Sequence, residues 1–118
     1  MITRIVMGLV VFALATPAAG YAADLTKGRK IIVEHCEKCH GRTGKGDGTM
    51  LKRIKADVKP ADWTKKTEMA KWSDADLAKI ITQGGQQAGH SKVMPSFGEK
   101  LSAADVADVV AYIRSLAK

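Results

Sequence analysis

Both cysteines of this 118-residue chain stand in Cys36-Glu37-Lys38-Cys39-His40, spaced C-x-x-C with a histidine directly after the second. That is the signature of c-type haem attachment. Two thiols three positions apart reach the two vinyl groups on one edge of a porphyrin, and closing the thioethers carries His40 beneath the iron as its proximal ligand. A macrocycle tied to so short a chain turns the remaining sequence into a box around it. Three other chemistries use paired cysteines. A thioredoxin-like dithiol wants a surrounding βαβ pattern, and no alternating strand signal flanks the motif. A zinc site needs two more ligands, for which the sequence offers only His35 and His90. A disulfide across two intervening residues constrains little of the unfolded chain.

Residues 1–22 read as an export signal. Arg4 marks a short basic start, an apolar run of 11 residues follows from Ile5 to Ala15, and Gly20-Tyr21-Ala22 supplies small residues for cleavage. The run is shorter than the ~20 residues of a membrane-spanning helix. An uncleaved anchor is the alternative, with Pro17 and Gly20 making a poor extension of the span. The chain left after cleavage, 23–118, is one small domain of a size that a cofactor helps to hold together. An aromatic content of only 5% agrees with haem supplying much of the core. Export and haem attachment point to the same compartment, the periplasm. The net charge of +7 barely depends on the signal, whose only charge is Arg4. Such a field steers a protein toward acidic protein surfaces or anionic membranes. A nucleic-acid partner is disfavoured by export and by the lack of a binding motif.

Periodicity predicts helices. From Asp24 to His35, Gly28, Ile31, Ile32, His35 and Cys36 share one side at spacings of three and four. Glycine within a helix costs roughly 1 kcal/mol relative to alanine, so Gly28 implies a close helix crossing. Gly44, Gly46 and Gly48 form a tight loop after the motif, and residues 49–55 form a short helix with Met50 as a core residue. Trp63 sits in a loop, where its ring can pack on the haem edge with its N–H toward a propionate, or simply fill space. Ser73 with Asp76 three residues later reads as a capping box before Leu77, Ile80 and Ile81, and Gly84-Gly85 ends that helix. Met69 and Trp72, just upstream, are expected to cover core. Ser102 and Asp105 cap a last helix whose stripe is Val106, Val109, Val110, Ile113 and Leu116, with Tyr112 at its edge. This helix is expected to cross the first at Gly28.

The polar loop 86–100 holds Met94-Pro95. A methionine thioether is a known partner of a proximal histidine, and Met94 lies on a loop rather than in an apolar helix stripe. It is therefore the candidate sixth ligand of the iron, with His90 as its competitor.

Taken together, Cys36-x-x-Cys39-His40, Met94-Pro95, Gly28 and the terminal Val-Ala-Tyr112-Ile-Arg run resemble a bacterial class I c-type cytochrome over residues 25–118. The resemblance implies an all-α fold of three main helices plus short ones around one covalent haem c. It implies His40 and Met94 as axial ligands, one-electron transfer as the activity, and Gly28 and Tyr112 at the crossing of the terminal helices. One departure stands out: relatives often carry a proline in the Gly-rich loop, near the group that orients the proximal histidine, whereas Thr49 follows Gly48 here. A monomeric periplasmic electron carrier between redox proteins is the leading expectation, with no enzymatic activity of its own. A haem subunit of a periplasmic dehydrogenase or oxidase complex is the alternative, and a gas-binding sensor the third reading. Lys38, Lys45, Lys92 and Lys100 are candidates for a basic ring facing acidic docking surfaces.

Overall fold

The computed structural model describes residues 22–118, so the expected export signal lies outside the described residues. Six helices follow in chain order: α1 (Leu25–His35), α2 (Glu37–His40), α3 (Met50–Arg53), α4 (Lys66–Met69), α5 (Asp74–Gln83) and α6 (Ala103–Leu116). No strand occurs among the described residues. The three longest, α1, α5 and α6, are the ones periodicity predicts, and the fold is all-α as expected.

Each of them begins where a side chain can satisfy the free amides of its first turn. The Asp24 carboxylate accepts from the Lys27 N–H at 3.0 Å at the head of α1. Ser73 and Asp76 close a reciprocal capping box on α5, and Ser102 and Asp105 close another on α6. The helix expected at 49–55 contracts to the four residues of α3, because Lys55 adopts a left-handed backbone, φ 48°, and turns the chain away. The turn α4, which carries no sequence periodicity of its own, places Met69 in the core at 1% exposure.

Helices α1 and α6 cross at Gly28. A Cβ on Gly28 would collide with the Asp108 carbonyl oxygen and stand 3.1 Å from the Tyr112 Cβ. The crossing buries Ile31 and Ile32 of α1 with Val106, Val109, Val110 and Ile113 of α6. Burying each such side chain contributes about 1.5–3 kcal/mol. Asp108 is buried among them and accepts the Asp24 backbone N–H at 2.9 Å, tying the head of α1 to the middle of α6. Helix α5 packs on the other flank of α6 through Leu77 and Ile81. Arg114 fastens the far end: its guanidinium donates to the Asp74 carboxylate (2.7 Å) and to the carbonyls of Met69 (2.8 Å) and Trp72. These helices frame one cavity.

Candidate functional site

The C-x-x-C-H motif occupies the corner between α1 and α2. Cys36 caps α1 by donating its N–H to the Ile32 carbonyl at 2.9 Å, and α2 restarts at once, with the His40 N–H reaching the Cys36 carbonyl at 2.9 Å. One helical turn thus brings Cys36 and Cys39 to a common face and sets His40 beside them. Gly41, at φ 86°, ends the turn. The Gly-rich loop then folds back onto it through the bonds Gly46 N–H to His40 O (2.8 Å) and Gly48 N–H to Cys39 O (3.1 Å). Pro60, from later in the chain, lies against Gly46, its carbonyl oxygen close enough to collide with any Cβ there. Residues 50–59 are the detour that delivers it.

The opposite wall is the loop 84–98, hung from the end of α5. Gly85 donates to the Met94 carbonyl (3.0 Å), Phe97 to Ile81 O (3.0 Å) and Gly98 to Thr82 O (3.1 Å). Its outer rim is latched to the residue 50–59 segment, where Asp57 accepts from the Ser91 hydroxyl at 2.8 Å and from the Lys92 N–H at 3.3 Å.

Between these walls lies a cavity of about 240 Å³. Cys36, Cys39, His40, Trp63 and Met94 all line it, so the structure gathers every candidate site residue at one place. His90 lines it too, but its exposed ring leans on Trp72, 4.7 Å between centroids. Trp63 is buried behind His40, its indole stacked on the imidazole at 4.4 Å and 19°. His35 is an exposed flank residue whose ring meets Phe97 at 5.9 Å.

The chemistry of the donors fits haem c. Burial pulls His40 down to about 4, so its imidazole is neutral at physiological pH, the form that ligates a metal. Burial, with Cys39 beside it, pushes the Cys36 thiol up to about 11, the reverse of the depressed value of a redox-active dithiol. Among the described residues no group of three or more His, Cys, Asp or Glu is placed to hold a zinc ion. An apolar cavity with two thiols and a neutral imidazole on one wall, and a thioether on the other, suits a porphyrin and its iron. Sequence reasoning missed the Asp57 latch, the Pro60 carbonyl and the burial of Phe97. None carries a periodic signal, because each depends on segments distant in sequence.

Comparison with known proteins agrees. Residues 23–113 match the family described as cytochrome c oxidase, cbb3-type, subunit III. The chain is 35% identical to cytochrome c6 of Picosynechococcus sp. PCC 7002, over 92% of this chain and 85% of that protein. It is 33% identical to the cbb3-type cytochrome c oxidase subunit FixP of Bradyrhizobium diazoefficiens, over 79% of this chain but 28% of that protein. Among solved structures it superposes on the KustC0563 c-type cytochrome with a TM-score of 0.60 and 27% identity, covering 77% of this chain and 98% of that one. With the fold, the cavity and these likenesses in agreement, the chain belongs to the class I monohaem c-type cytochromes, electron-transfer proteins whose cofactor is haem c.

Proposed function

We propose that this protein is a periplasmic one-electron carrier, exported by residues 1–22 and working as a monomer through a single haem domain, residues 23–118. When bound, haem c supplies reversible Fe(III)/Fe(II) chemistry. Cys36 and Cys39 anchor it by thioethers, His40 offers its ring nitrogen from the α2 wall, and Met94 offers its sulfur from the loop wall. The observation that carries this reading is the convergence of these four side chains on one apolar cavity. A donor from each wall of the cavity would leave the iron no open position for a substrate, which makes the protein a carrier rather than a catalyst. The thioether, a weak donor, and the apolar lining both favour the reduced state and raise the potential.

Exposed Lys38, Lys45, Lys92 and Lys100 supply positive charge for weak, salt-sensitive docking to acidic redox partners. The optical spectrum of the oxidised and reduced holoprotein, before and after Met94→Ala, tests the assignment. A weak far-red sulfur-to-iron band in the oxidised protein, lost in the variant, is expected. Absence of the band from the wild type, or carbon monoxide binding to the untreated ferrous protein, refutes it. The likeness to FixP favours a second reading, a haem c subunit of a larger oxidase or dehydrogenase assembly. Size-exclusion of the native periplasmic extract separates the two: a carrier elutes at the mass of one chain.

A further inference from the structure

A metal-bound histidine is usually held in orientation by a hydrogen bond from its second ring nitrogen to a carboxylate, a carbonyl or water. The Nδ1 of His40 is buried, and among the described residues no protein group accepts from it. The face of the ring is covered instead by the Trp63 indole, at 4.4 Å and 19° from parallel.

Trp63 is held firmly enough to act as a template. Its backbone N–H donates to the Gly44 carbonyl at 2.8 Å. The indole lies on the bare Cα of Gly44, where a Cβ would stand 2.9 Å from its Cε3 and 3.3 Å from Leu116. The residues on either side are pinned as well: Asp62 N–H to Glu68 at 2.9 Å, and Thr64 N–H and hydroxyl to the Asp62 carboxylate at 2.9 and 2.6 Å. Only 6% of Trp63 is exposed.

We propose that Trp63 is the positioning residue for His40, fixing the plane of the imidazole by stacking against its face. The proposal rests on the reading of His40 as an iron ligand. Two consequences follow from the geometry. A pinned ring gives one ligand-plane orientation and hence narrow magnetic resonance features. The electron-rich indole face also stabilises an imidazole carrying ferric charge more than one on ferrous iron, so it lowers the potential.

The test uses the haem-loaded protein, with ferric EPR spectra and reduction potentials for wild type, Trp63→Leu and Trp63→Phe. Trp63→Leu is expected to broaden and shift the low-spin g values and to move the potential positive, and Trp63→Phe, which keeps a ring in the stack, to return both toward wild type. A shape-neutral probe accompanies them. In a Trp72→Phe background Trp63 is the one remaining tryptophan, and replacing it with fluorotryptophan withdraws π density from the stacked face. The potential is expected to rise relative to the unfluorinated Trp72→Phe protein, with thermal stability unchanged. If Trp63→Leu yields no holoprotein, the fluorinated protein decides alone. Unchanged g values and potentials across these proteins reduce Trp63 to a space-filling residue and overturn the proposal. A wild-type ferric spectrum without low-spin imidazole ligation overturns the His40 reading instead, and the two failures are distinguishable.

Discussion

Replacing Gly28 by alanine sets two effects against each other, and the structure decides which is larger. In an isolated helix alanine gains roughly 1 kcal/mol over glycine. Here the new methyl meets the Asp108 carbonyl of α6, whose carbon lies 2.7 Å from the ideal Cβ position. The obstacle is helix backbone, which cannot rotate aside as a side chain would, so α1 and α6 must separate. Separation loosens Ile31 and Ile32 against Val106, Val109 and Val110 and stretches the 2.9 Å bond from Asp24 to the Asp108 carboxylate. Overpacking of a core costs about 1–3 kcal/mol, and a rigid obstacle belongs at the top of that range. Subtracting the propensity gain leaves a net loss of about 2 kcal/mol. In a domain of this size each kcal/mol moves Tm by roughly 4–8 °C, so Gly28→Ala should lower it by about 8–16 °C. Thermal unfolding of the oxidised holoprotein by far-UV circular dichroism measures this. Val33→Ala is the control: the residue is on the same helix and 54% exposed, and the change should stay within about 0.5 kcal/mol of wild type. A Tm for Gly28→Ala equal to or above wild type would show that the helices do not depend on the close crossing.

Asp57→Ala should free the rim of the Met94 loop from Ser91 and Lys92, and exogenous imidazole should then displace the distal ligand of the ferric protein faster in stopped-flow mixing; an unchanged rate would mean that the loop is held by its α5 anchors alone. Arg114→Lys removes the fork that spans Asp74, Met69 O and Trp72 O, which one ammonium cannot reproduce, and should cost about 1–3 kcal/mol in urea unfolding; equal midpoints would refute a bracing role. Hydrogen bonds from Ser73 hold Asp76 below the usual carboxylate range, and Lys27 followed by the Ser102 cap does the same for Asp105. A depressed carboxylate stabilises the fold above its unfolded pKa, about 4, and that contribution disappears as the pH falls through the lower folded value. The double variant Asp76→Asn, Asp105→Asn should accordingly lose less stability than wild type between about pH 4 and pH 2, and parallel acid limbs would contradict the assignment.

What the sequence discloses here follows the range of the interactions. The motif at 36–40 is legible because its chemistry is local: one helical turn sets both thiols and the imidazole. The caps at Ser73 and Ser102 and the stripe of α6 are legible for the same reason, since their partners lie three or four residues away. Gly28 announces a close approach, and the bulky stripe of α6 names its partner. The walls of the cavity are harder. Pro60 meets the Gly-rich loop only after a detour of ten residues, and nothing in residues 50–59 says that the chain returns to Gly46. Trp63 could be nominated as a neighbour of the haem, but that it stacks behind the histidine depends on Gly44 leaving room for the indole.

The two walls also differ in how firmly they are held, and that difference bears on function. The His40 wall is a helical turn closed by two loop hydrogen bonds and backed by a buried indole. The Met94 wall is a loop whose anchors lie at the end of α5 and whose rim is held by exposed bonds to Asp57. Regions with exposed hydrogen bonds and few buried contacts open at lower free energy than the core. On the proposed ligation, loss of a ligand belongs to the Met94 side and can occur without separation of α1 from α6. His90 lines the same cavity and lies four positions before Met94 on the same loop. On the proposed attachment a carrier benefits from this asymmetry: thioethers on the Cys36–Cys39 wall would keep the haem in place through such an opening, and reclosing the loop would restore the site without refolding the domain.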